Sequence, residues 1–113
     1  MDTKTLTDPT IDPRVDQTAR ALLEAAPRGS EVILFGSHAR GNASEHSDAD
    51  FLVVEPTVND AWGESVRLRR VVAKVPLSMD IIVVSRERFE AERNHRNSLV
   101  GEAARGRVYR HEG

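Results

Sequence analysis

The sequence predicts an α/β (α+β) fold: a small mixed β-sheet flanked by helices. Three observations predict it. Three short apolar runs, Val32-Ile33-Leu34-Phe35, Phe51-Leu52-Val53-Val54 and Ile81-Ile82-Val83-Val84, stand between polar and turn residues, as strands buried on both faces do. Segments with helical apolar spacing precede, separate and follow them, so helices are expected on both faces of the sheet. At 113 residues, with 39% hydrophobic and only 4% aromatic content, the chain can build one modest core from Leu, Ile, Val and Ala.

Each element has its own signal. Residues 1–12 are polar, with Asp8-Pro9 and Asp12-Pro13, and read as a flexible lead-in to a single domain over 13–113. Asp12 suits an N-cap with Pro13 in the first helical position. Val15, Ala19, Leu22, Leu23 and Ala26 then recur at helical spacing, which predicts a helix over 13–26 that Pro27-Arg28-Gly29-Ser30 ends. The first strand follows at 32–35. Gly36 to Ser47 is small and polar, a loop with room for one helical turn. The second strand is closed by Pro56. Val66, Leu68, Val71, Val72 and Val75, set among Arg67, Arg69, Arg70 and Lys74, predict a helix over 60–75 with a solvated basic face. After the third strand, Ser85 can cap a helix from 86 onward, and Asn97 or Ser98 can start another through Leu99, Val100, Ala103 and Ala104, with Gly106 as its stop.

Composition excludes several function classes. There is no cysteine, so a disulfide scaffold, a thiolate metal site and a Cys nucleophile are ruled out. His38, His46, His95 and His111 have no regular ligand spacing and read as surface residues. Sixteen basic residues against eighteen acidic give a net charge of −2, which argues against general nucleic-acid binding. An apolar run such as Val32 to Phe35 is far too short to span a bilayer. Met1-Asp2-Thr3-Lys4 has no apolar core of a secretory signal, so the cytoplasm is the expected location.

The informative stretch is Gly36-Ser37-His38-Ala39-Arg40-Gly41, then six residues, then Asp48-Ala49-Asp50. Two carboxylates two residues apart at the opening of a strand share one face. They repel each other, and a divalent cation relieves that conflict; oxygen-only ligands favour Mg²⁺ or Mn²⁺ over zinc. Asp80 opens the third strand in the same way. If the second and third strands are parallel neighbours, Asp48, Asp50 and Asp80 meet at one sheet end, where three carboxylates can hold the two ions, ~3.5–4 Å apart, of a phosphoryl-transfer site. Gly36 lets a phosphate approach its backbone, Ser37 offers a hydroxyl, and Arg40 adds charge-assisted hydrogen bonds. For that turn to face the carboxylates, the first two strands must be antiparallel. A P-loop is excluded: Gly36 and Gly41 have its glycine spacing, but Asn42-Ala43 replaces Lys-Ser/Thr.

Gly36-Ser37, ten residues, then Asp48-x-Asp50 resembles the signature of the DNA polymerase beta-like nucleotidyltransferase superfamily. The string GSHARGNASEHSDADFLVV is similar to its small bacterial branch, the minimal nucleotidyltransferases, with the likeness strongest over 30–84. The resemblance implies a mixed sheet, two Mg²⁺ and an NTP donor. It implies that Gly36 and Ser37 grip the triphosphate, that Asp48 and Asp50 hold metal, and that Asp80 helps hold metal and activates the acceptor hydroxyl. It further implies a partner: small members of this branch pair with a helical HEPN-domain toxin and act as antitoxins by moving AMP from ATP onto a toxin tyrosine. His38 stands where an aromatic residue or Arg is common, and at this size a second domain to read an acceptor is not expected. Two rival readings follow from that size: a non-catalytic module that masks a helical partner, and transfer to a small molecule of the aminoglycoside type, for which a homodimer would have to build the cleft. Trp62 and Tyr109 read as packing residues, with self-modification of Tyr109 as an alternative.

Overall fold

Asp12 ends the lead-in by accepting a 2.8 Å hydrogen bond from the Arg14 amide, and Pro13 follows in the first turn of α1 (Pro13–Ala25). The computed structural model describes residues 11–44 and 46–111, so all but the last two residues of the expected lead-in lie outside it. Of those two, Ile11 is buried against the core and Asp12 is the cap. The chain continues through β1 (Glu31–Phe35), α2 (Ser37–Arg40), β2 (Ala49–Glu55), α3 (Ala61–Val71), β3 (Met79–Ser85), α4 (Arg86–Glu92), α5 (Leu99–Ala103) and β4 (Arg107–Arg110). Side-chain caps start three of the later helices: Asp60 for α3, Ser85 for α4 and Ser98 for α5.

The strands form one mixed sheet in the order β3-β2-β1-β4. β1 and β2 are antiparallel, and β2 and β3 are parallel, as the site reading requires. The apolar runs predict three strands, and the sheet has four. The fourth, β4, pairs antiparallel with β1, Val32 opposite Tyr109 and Ile33 opposite Val108. Four residues flanked by Arg107 and Arg110 carry too little apolar signal to stand out; pairing with β1 selects the extended conformation.

Alternation along the strands builds a core on each face. Val32, Leu34, Phe51, Val53, Ile81 and Val83 pack with Val15, Ala19 and Leu22 of α1 and Leu68 of α3. Ile33, Phe35, Leu52, Val54 and Val84 pack with Phe89 of α4 and with Val100 and Ala103 of α5. Each fully buried Leu, Val or Phe contributes roughly 1.5–3 kcal/mol of transfer free energy.

Two side chains differ from expectation. Trp62 is 79% exposed near the start of α3, not packed. His38 is 8% exposed, not a surface residue. Tyr109 is buried and its hydroxyl donates to Asp16 Oδ1 at 2.9 Å, a packing role. Among the described residues, no helix is long and apolar enough to cross a membrane.

Candidate active site

β1 delivers the chain to Gly36 with Phe35 opposite Asp50 in the antiparallel register. Gly36 is the N-cap of α2 at φ 80, a left-handed conformation that favours glycine. A Cβ there would lie 2.5 Å from Asp50 Oδ2, so the missing side chain is what lets that carboxylate rest against the turn. Ser37 is the first helical residue rather than the cap, and Gly36 offers no side-chain hydrogen bond in that role. Arg40 ends α2, exposed.

His38 was missed by sequence reasoning as a site-building residue. Its Nε2 lies 3.2 Å from the carbonyl oxygen of Ser47, which requires that nitrogen to donate. The bond ties α2 to the segment that carries Asp48. Its only sequence signal is position, directly after the Gly-Ser pair on a short helix.

The carboxylates come from two strands. Asp50 and Asp80 are register partners in the parallel β2–β3 pair, and both fall on the α4/α5 face by alternation. Adjacent strands lie ~4.8 Å apart, so the two side chains are direct neighbours. Asp48 precedes β2, where the Ala49 amide bonds the Ser78 carbonyl at 3.0 Å and the Ser78 hydroxyl donates to Asp48 Oδ1. Asp48 and Asp80 are exposed and Asp50 is half-buried. Burial raises the Asp50 carboxyl above its ordinary value, and the charges of Asp80, Asp48 and Glu102 raise it further, against a smaller opposing effect of His38.

Crowded negative charge with hard oxygen donors fits a divalent cation by its chemistry. Among the described residues, however, no three acidic or imidazole groups stand close enough together to form a ready-made metal cage. The Ser78 hydroxyl donates to one oxygen of Asp48, and Asp48 and Asp80 both act on the charge of Asp50.

Beside the Gly-Ser turn lies an open cleft of about 340 Å³. Its walls are Phe35, Gly36, Ala39 and Arg40 on one side and Arg96, Glu102, Arg105, Gly106 and Arg107 on the other. Gly106 passes so close to the Leu34 carbonyl that a side chain there would collide with the β1 backbone. The three aspartates are outside these walls, but Gly36 touches Asp50 and Glu102 acts on its charge.

A family model for the nucleotidyltransferase domain matches residues 15–109, from the first turn of α1 into β4. The chain belongs to this family. No match was found among curated proteins. As a nucleotidyltransferase domain, the protein has nucleotidyl transfer as its general activity, and its helix-flanked mixed sheet is consistent with the fold of a minimal member of the polymerase beta-like superfamily. The family match spans every candidate residue: Gly36, Ser37, Arg40, Asp48, Asp50 and Asp80.

Proposed function

We propose that this nucleotidyltransferase moves a nucleoside monophosphate, AMP from ATP, onto a hydroxyl and releases pyrophosphate. The observation that carries the reading is the contact of Gly36 with Asp50, together with the register that puts Asp80 beside Asp50. In this reading Gly36, Ser37 and Arg40 orient the triphosphate. Asp48, Asp50 and Asp80 hold two Mg²⁺, which when bound neutralise phosphate charge and acidify the acceptor hydroxyl. Asp80 takes the acceptor proton. The acceptor oxygen bonds to the α-phosphorus as the bond from that phosphorus to the bridging oxygen breaks, and pyrophosphate leaves with that oxygen. The chain supplies arrangement above all: the sheet fixes Asp50 and Asp80, and His38 positions the segment carrying Asp48.

The acceptor proposed is a tyrosine on a helical HEPN-domain toxin, so that transfer neutralises the toxin and the protein works as its antitoxin in the cytoplasm. The sequence resemblance supports this, as does a site open enough for a side chain from another protein. The test is label transfer from α-labelled ATP to the folded partner with Mg²⁺. Label on a partner tyrosine is expected from wild type and none from the Asp48→Ala, Asp50→Ala double variant. No label from wild type contradicts the reading. Equal neutralisation of the partner by the double variant would favour masking without catalysis.

A further inference from the structure

We propose that the pocket at the far end of β2 from the aspartates is a binding site for an organic cation, an ammonium or guanidinium group whose N–H donors meet the Glu55 carboxyl. β2 runs on from Asp50 to Glu55, and five steps of ~3.3 Å put Glu55 roughly 17 Å from the candidate active site. The inference is therefore independent of the reaction proposed above. The pocket has a volume of about 520 Å³, and Glu55, Asn59, Asp60, Gly63, Glu64 and Arg67 are among its walls.

Glu55 ends β2 after Leu52-Val53-Val54 and is 3% exposed. Its Oε2 is buried without a hydrogen-bond partner among the described residues. A buried acid oxygen left unmet costs free energy, and its neighbours are committed elsewhere. Arg67 donates through Nε and Nη2 to the two Glu64 oxygens, at 2.8 and 2.7 Å, and through Nη2 to the Ala25 carbonyl at 3.0 Å. Asp60 Oδ1 accepts the Gly63 amide at 3.0 Å. A Cβ on Gly63 would collide with Asp60 Oδ2, so the bare glycine lets that second oxygen rest against α3. The pocket walls thus bring three acidic side chains against one guanidinium. Among the described residues, acids do not stand close enough together to cage a metal ion, and the pocket is far wider than one. A guanidinium or ammonium carries several donors on one charge, which suits acid oxygens spread around a wide pocket. Burial and Glu64 push the Glu55 carboxyl up to about 8, so it holds a proton at neutral pH. The bound cation lets Glu55 ionise, and that proton passes to solvent.

The experiment is amide-resolved NMR titration of wild type, Glu55→Gln and Asp60→Asn. The probes are methylguanidinium, butylammonium, a capped Gly-Arg-Gly peptide, and tetramethylammonium, a cation with no N–H donor. Wild type is expected to show saturable shifts centred on 55–67 with the first two and none with tetramethylammonium. Saturation by the peptide as well upholds the site and assigns it to a basic side chain of another protein. Saturation by the free cations alone upholds it and assigns it to a small amine. Glu55→Gln keeps the shape of the side chain and should bind about tenfold or more weakly; Asp60→Asn, which keeps the cap, should bind several-fold more weakly. Calorimetry near neutral pH in two buffers of different ionisation enthalpy should show up to about one proton released per cation bound by wild type and none by Glu55→Gln. The charged groups around that carboxyl are Glu64 and Arg67 of α3 and Asp60 at its cap. No saturable shift in wild type, equal shifts with tetramethylammonium, or equal affinity of Glu55→Gln and wild type overturns the inference. If Glu55→Gln does not fold, Asp60→Asn and tetramethylammonium decide it.

Discussion

Gly36 makes two demands that no other residue meets. Its φ of 80 with ψ of −157 costs a side-chain-bearing residue about 1–3 kcal/mol, and a Cβ would press on Asp50 Oδ2. Gly36→Ala is expected to lower thermal stability by about that amount. It should cut nucleotidyl transfer far more, because the strain falls on the carboxylate; unchanged transfer rates would show that the contact is incidental. A second residue-scale test lies at the opposite end of β2. Glu55, 3% exposed, has its carboxyl pushed up to about 8 by burial and by its hydrogen bond with Glu64, which Arg67 in turn holds low. The folded protein therefore keeps a proton on Glu55 that the unfolded chain, titrating near 4.5, releases. That contribution is fully present below 4.5 and is lost as pH rises through about 8. Urea midpoints should fall across this window in wild type and much less in Glu55→Gln. A wild-type profile no steeper than the variant's contradicts the assignment. The Gly-Ser pair and the aspartates were legible in the sequence because spacing alone brings them to the ends of apolar runs. The burial of His38 and Glu55 was not, since each depends on what another segment lays over it.

At the scale of elements, the edge strand β4 closes the sheet on β1 and carries Tyr109 into the core under α1. Its hydroxyl spans the layers to Asp16, which also receives the Arg20 Nε at 2.9 Å. Tyr109→Phe should cost about 1 kcal/mol in chemical denaturation and leave transfer intact, since the core that Tyr109 joins is on the face away from Asp50. Label found on Tyr109 itself would contradict this placement. The helix starts at Asp12, Ser85 and Ser98 were readable because caps are local chemistry. The end of α3 at Val71 was not: Val72 and Val75 keep the helical spacing out to 75, but beyond the helix Val72 is buried and Val75 half-buried, both packing against the core from a turn. Trp62 misled in the opposite way, because aromatic character alone does not tell which face of α3 meets the sheet.

The whole molecule is a sheet with two apolar faces whose strand ends carry the chemistry. Uniform apolar strands announced the two-sided core, and the requirement that the Gly-Ser turn meet the aspartates announced the mixed strand directions. What local pattern could not supply was the second wall of the cleft, because Arg96, Glu102 and Arg105 reach Gly36 only once α5 packs against β1. The central claim is that Asp50 and its neighbours bind divalent metal together with a nucleoside triphosphate. Electron paramagnetic resonance of Mn²⁺, titrated with a triphosphate analogue that resists cleavage between its α- and β-phosphorus atoms, tests it most directly. Wild type should withdraw Mn²⁺ from solution beyond what the analogue alone binds, and Asp50→Asn should not. Equal Mn²⁺ uptake by wild type and Asp50→Asn, or none by either, would contradict it.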